Sequence, residues 1–268
     1  MHLMDCRTRI SQPIAVIDSG VGGLSVARQI RAHLPAEDLL YIADSANAPY
    51  GNKSVDFITG RLLRISALAI EHGAKAIVVA CNSATVSAIA TLREEVDVPV
   101  IGVEPGIKPA IEHSESGIVG VIATERTVQS PNLRALIRRV QGKSQVILQA
   151  CPGLVEQIEQ NQLHTPETLN LLHRYIDPMV AHGADTLVLG CTHYPFLKPL
   201  IEEKWPDLVL IDTSLAVTRQ LITRLENEAH QEPAERVGKD LFWSSTENNQ
   251  PVIETIWQSS ITLNAIPD

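Results

Sequence analysis

Short apolar runs alternate along this chain with longer segments whose apolar positions recur at helical spacing, the pattern of parallel strands joined by crossover helices. Ile14 to Ile17, Leu39 to Ala43, Ala76 to Ala80 and Val100 to Val103 predict one set of four strands. Ile118 to Ile122, Val146 to Leu148, Thr186 to Leu189 and Val209 to Ile211 predict a second. A helix is predicted from about Leu24 to Leu34 and an amphipathic one over residues 214 to 229. Residues 230 to 250 read as polar and loop-like, apart from the short run Leu241-Phe242-Trp243.

The two sets repeat one another. His72-Gly73-Ala74, an apolar strand and Cys81-Asn82 return 110 residues later as His182-Gly183-Ala184, a strand and Cys191-Thr192. The preceding helices match as well: Ile58, Leu62, Ile65 and Ala69 make one apolar stripe, and Leu169, Leu172, Ile176 and Val180 its counterpart. Each ends at His-Gly, with glycine suited to the left-handed position after a helix. Val/Ile/Leu runs recur in any parallel sheet, but a shared HGA, strand and Cys in register is much less accidental. The expected fold class is α/β: two pseudo-symmetric lobes, each with a mainly parallel sheet flanked by helices, and an active site in the cleft between them. Residues 1–103 with 214–268 are expected to form the first lobe, carrying Asp18 and Cys81. Residues 104–213 form the second, carrying Cys191 and His193.

A length of 268 residues fits two domains. With 44% hydrophobic and 20% charged residues, a packed globular protein is expected rather than a disordered one. The net charge of −9, with no Lys/Arg block, argues against nucleic acid as a partner. Met1 to Arg7 lacks the apolar core of a secretory signal, and no stretch approaches the roughly 18 apolar residues of a membrane span. A cytoplasmic protein with no membrane partner is expected. The four cysteines, Cys6, Cys81, Cys151 and Cys191, are too scattered for a disulfide framework or a CxxC site, so reduced thiols are the default.

Ligands of parallel α/β sheets bind beyond the carboxyl ends of the strands, where Cys81 and Cys191 both fall. The first strand leads into Asp18-Ser19-Gly20-Val21-Gly22-Gly23-Leu24-Ser25, whose glycines let backbone N–H groups approach an anion at the helix start. This is neither a dinucleotide fingerprint nor a Walker loop, and an Asp there would repel phosphate. An amino acid fits better, with Asp18 facing an ammonium or a thiol and Ser19 donating to a carboxylate; the alternative is that Asp18 merely caps the helix. Pro49-Tyr50-Gly51 lies in a turn-rich loop beside the same cleft and is on its own an ordinary turn. Cys81-Asn82-Ser83-Ala84-Thr85 and Cys191-Thr192-His193-Tyr194-Pro195 set each thiol among neutral donors at the start of a predicted helix, which is expected to lower its pKa. His193 is placed to exchange a proton with Cys191.

Zinc would need a fuller ligand set than Cys191 and His193, and a disulfide would need the two cysteines within about 7 Å. Inversion of a tetrahedral carbon instead asks for two proton carriers, one on each face of a planar carbanion. Two like thiols on two like lobes meet that requirement.

These residues carry a resemblance. Asp18 to Val26, Tyr41-Ile42-Ala43-Asp44 with Pro49-Tyr50-Gly51, Ala80 to Thr85 and Leu189 to Pro195 together resemble the glutamate racemases of the aspartate/glutamate racemase superfamily, over most of residues 14 to 213. The resemblance implies L- and D-glutamate interconversion with no cofactor, neither pyridoxal phosphate nor metal, supplying D-glutamate for peptidoglycan. It implies that Cys81 handles the proton of the D-isomer and Cys191 that of the L-isomer, assisted by Asp18 and His193. Substrate contacts are implied at Ser19, Tyr50, Gly51, Asn82, Ser83, Thr85, Thr192 and His193, with Pro49 beside them, and Glu156 looks like an outer acid of some relatives. Ser83 stands where threonine is more usual. The resemblance also brings a homodimer and a peptidoglycan-precursor activator as candidates. A racemase or isomerase acting on aspartate, hydantoins or maleate is the nearest alternative; a non-enzymatic two-lobed anion-binding protein is the more distant one.

Overall fold

The structure, a computed structural model, describes residues 12–227 and 236–267. Cys6 and the last residues of the helix expected to reach 229 lie outside them. The apolar runs form β1 (Ile14–Asp18), β2 (Leu39–Ala43), β3 (Ala76–Val79), β4 (Val100–Gly102), β5 (Ile118–Ala123), β6 (Gln145–Ala150), β7 (Thr186–Gly190) and β8 (Val209–Ile211). Two further strands, β9 (Asp240–Ser244) and β10 (Leu263–Ala265), follow. One sheet has the order β10-β9-β2-β1-β3-β4 and the other β6-β5-β7-β8, with every pairing parallel. Within β1–β4 and β5–β8 the spatial order is the same, so the repeat in sequence is a repeat in topology. Helices cover both faces of the first sheet, which is why β1, β2 and β3 are apolar and buried almost throughout.

The helix Val55–Glu71 buries Ile58, Leu62, Ile65 and Ala69. Its counterpart Pro166–Ala181 buries Leu172 and Ile176, but Val180 stays exposed because Met179 takes the inward place in the last turn. Gly73 and Gly183 follow these helices with φ of 76° and 96°, the left-handed turn that HGA predicts.

The expectation of a loop over residues 230 to 250 is corrected from residue 240 onward, while its part over residues 230–235 lies outside the described residues. Asp240–Ser244 pairs with β2 from Leu39↔Asp240 to Ala43↔Ser244, and a helix follows at Gln250–Trp257. A five-residue strand with polar ends has too little alternation to declare itself. The open edge of β2 decides its state: Phe242 packs on Tyr41, with ring centroids 6.2 Å apart, and Arg31 pairs with Asp240 at 2.5 Å.

Candidate active site

The carboxyl ends of the strands converge on a pocket between the sheets. Ser19, Pro49, Tyr50, Gly51, Cys81, Asn82 and Ser83 line one wall; Thr124, Val155, Cys191, Thr192 and His193 line the other. Its free volume is about 10 Å³, room for about one water. Its lining includes no Lys or Arg.

Cys81 follows β3 and precedes the helix Asn82–Glu95. Its thiol donates to Ser19 Oγ at 3.5 Å, and Ser19 Oγ lies 3.4 Å from Asp18 Oδ1. Asp18 also accepts from the Gly20 N–H at 2.9 Å and from Thr192 Oγ1 at 2.9 Å, so it is tied to both lobes. Burial raises the Asp18 carboxyl above its usual range, against the lowering influence of His193. Burial, followed by the Asp18 charge, pushes the Cys81 thiol up to about 12. The expected lowering by the helix start is thus overturned: desolvation of a buried thiolate costs more than the helix amides return.

Cys191 follows β7 and leads into a 3₁₀ turn, Tyr194–Leu197, rather than directly into an α-helix. Its sulfur is 3.7 Å from His193 Nδ1, and His193 Nε2 is 2.6 Å from Glu159 Oε1. Burial alone would lower the pKa of His193, but the contacts with Cys191 and Glu159 outweigh it and hold the imidazole well above its ordinary value. The outer acid reaching this pair is Glu159, whereas Glu156 lines a neighbouring cavity with Cys151 and Pro152. The two acids lie three residues apart on the helix Leu154–Glu159, and nothing in their sequence context separates them.

The anion expected at the glycine loop is one of the chain's own groups, since the Val21 N–H donates to Glu159 Oε1 at 2.7 Å. The glycines supply space. A Cβ on Gly20 would sit 1.9 Å from Glu159 Oε1, and one on Gly22 would sit 2.3 Å from His193 Nδ1.

Other predicted positions divide. The Asn82 side-chain N–H group is buried without a partner. Ser83 Oγ lies 2.8 Å from Thr124 Oγ1 across the cleft. Tyr50 lines the pocket, but its hydroxyl donates to Asp44, which Arg61 holds through two nitrogens at 2.6 and 2.8 Å. Thr85 does not line this pocket, and its hydroxyl bonds the Val79 carbonyl and the Val103 N–H. Thr124, Val155 and Glu159 were not expected here. Thr124 follows β5, and Val155 and Glu159 lie on the helix Leu154–Glu159 after β6, where the repeat offers no matching motif. Cys81, Cys151 and Cys191 are free thiols.

The family model for Asp/Glu/Hydantoin racemase matches residues 14–221. The chain belongs to this racemase family. It is therefore an isomerase, and glutamate racemases are prominent among its relatives. The glutamate racemase of Methylococcus capsulatus is 53% identical over 234 residues, covering 87% of this chain and 86% of that one. Among solved structures, Escherichia coli glutamate racemase in complex with L-glutamate and activator UDP-MurNAc-ala matches with a TM-score of 0.84 at 32% identity, covering 95% of this racemase and 98% of that chain. The Francisella tularensis glutamate racemase in complex with D-glutamate has the same TM-score at 28% identity, over 96% and 98%. Among the described residues of this racemase no helix is long and apolar enough to cross a membrane.

Proposed function

We propose that this racemase interconverts L- and D-glutamate by passing the Cα proton between Cys81 and Cys191, and that the D-glutamate serves peptidoglycan synthesis. The observation that carries this reading is that the two cysteines of the repeat line one closed pocket, each backed by its own proton-holding partners. In the L-to-D direction the Cys191 thiolate takes the Cα proton, leaving a planar carbanion, and the Cys81 thiol returns a proton to the opposite face. The reverse direction exchanges the roles. A thiol raised to about 12 is protonated at neutral pH and ready to act as that donor. Cys191 and Cys81 are the catalytic groups, His193 serves Cys191, and Asp18 serves Cys81 through Ser19 and faces the substrate ammonium.

The unpartnered Asn82 amide, the Ser83 and Thr192 hydroxyls and the Pro49-Tyr50-Gly51 turn suit the substrate carboxylates, and donors at the α-carboxylate would stabilise the enolate-like charge it takes up. Thr85 acts at a distance, by bracing the ends of β3 and β4. In the same reading the lobes are residues 1–103 with 214–268, and residues 104–213. The E. coli relative's activator directs attention to a cavity of about 540 Å³ that includes Arg93, Lys108, Arg139 and Arg224, a setting for a precursor's phosphates.

The test is exchange at Cα. Purified protein in D₂O, with no added cofactor, is expected to racemise D-glutamate and incorporate deuterium, while Cys81→Ala and Cys191→Ala each stop turnover without unfolding. Exchange of aspartate but not glutamate would select the nearer alternative, and turnover persisting in either variant would refute the two-thiol assignment.

A further inference from the structure

Glu159 receives a third contact that the reaction so far leaves unused. Its second oxygen, Oε2, lies 3.4 Å from Ser45 Oγ, and Ser45 Oγ accepts from Asn249 Nδ2 at 2.7 Å. Asn249 is buried and follows β9, in the segment whose sequence read as a loop. The glycine loop, through the Val21 N–H, and the 3₁₀ turn Ser45–Asn47 after β2 therefore meet on one carboxylate, and the single turn Glu247–Asn249 after β9 backs the second of them through Ser45. The parallel pairing of β2 with β9 makes this possible, because it brings both carboxyl ends to one edge, where the Ala46 N–H also donates to Ser245 Oγ at 2.9 Å.

We propose that Asn249 and Ser45 are positioning residues for the Cys191 half of the reaction, acting through Glu159 and His193. The donors run in one direction, from the Asn249 amide to the Ser45 hydroxyl to Glu159, and the fixed carboxylate in turn aims His193 at the Cys191 sulfur. The C-terminal segment thus does more than widen the first sheet. It connects to the proton carrier of the opposite lobe through Ser45 and Glu159. This inference rests on the two-thiol reading and on Cys191 serving the L-isomer.

A loss of rate cannot by itself tell which thiol is affected, because an equilibrium constant of one keeps kcat/KM equal in both directions for any variant. The primary isotope effect with Cα-deuterated substrate can. Weakening Cys191 makes removal of the L-isomer's deuteron more rate-limiting, whereas for the D-isomer it shifts the limit to the later reprotonation. Ser45→Ala is expected to lower turnover about threefold to tenfold. It should raise the isotope effect with L-glutamate and lower it with D-glutamate, and Ser45→Thr should restore both. Asn249→Ala should act in the same sense, and the double variant should be no slower than Ser45→Ala, as for two links in series. Isotope effects that stay put or move equally would overturn the proposal, with Ser45→Ala deciding should Asn249→Ala fold poorly, whereas a rise on the D-isomer with a fall on the L-isomer would overturn the assignment of Cys191 to the L-isomer on which it rests. Wild-type protein that fails to racemise glutamate would defeat the underlying reading instead, so the two failures are distinguishable.

Discussion

Between Glu159 and Cys191 the imidazole of His193 has little choice of state. A carboxylate 2.6 Å from Nε2 can only accept, so that nitrogen carries hydrogen, and Nδ1 is left to share a proton with sulfur 3.7 Å away. Glu159→Gln keeps the size and removes the charge. His193 should then titrate at lower pH than in the wild type, where its contacts with Cys191 and Glu159 hold the imidazole well above its ordinary value, and histidine NMR resonances followed against pH would check this. Turnover should fall about tenfold to a hundredfold. A folded-state pKa raised above the unfolded value of about 6.5 contributes stability that is complete below that pH and is lost as pH rises through the folded value. Melting curves of Glu159→Gln should therefore show less loss of stability above about pH 6.5 than the wild type. If His193 titrates identically in both proteins, Glu159 does not set its charge.

At the scale of elements, the loop between β1 and its helix is built for close approach by the opposite lobe. Glycine at position 22 leaves the volume that the His193 ring fills, and a Cβ there would meet ring atoms at 2.3 to 2.7 Å. The ring is buried and bonded at both nitrogens, so it cannot yield cheaply. Gly22→Ala is expected to cost about 1–3 kcal/mol in thermal unfolding and to lower kcat at least about a hundredfold. An active Gly22→Ala protein would mean that the ring has another productive position. Strands β1 to β8 were legible because each is an apolar run flanked by helical spacing. β9 was not, because its five residues form a strand only where β2 leaves an unpaired edge. The thiols were legible for a similar reason: the HGA-strand-Cys unit occurs twice, whereas Glu159 lies in a short helix whose first lobe counterpart has no matching acid.

Across the whole molecule, bonds between the lobes close the pocket to about the room of one water. Thr192 donates to Asp18, Ser25 Oγ donates to the Thr192 carbonyl at 2.9 Å, and Arg126 donates to the Lys53 carbonyl. An amino acid enters only if such contacts part. Arg126 touches none of the reacting groups, so Arg126→Ala should change KM for glutamate about threefold to tenfold with a smaller change in kcat, as steady-state kinetics would register. A collapse of kcat with KM unchanged would place Arg126 in the chemistry rather than in the contact between the lobes. By itself the sequence determined two α/β halves related by duplication, the strands that pair in parallel, and the two thiols at equivalent strand ends, because periodicity and repetition are local properties of a chain. Only the tertiary structure decided that burial raises the Cys81 thiol instead of the helix start lowering it, that the loop's anion is Glu159, and that the C-terminal segment reaches the site. Desolvation, charge pairing and edge pairing depend on which distant residues come into contact, and that is a property of the folded whole.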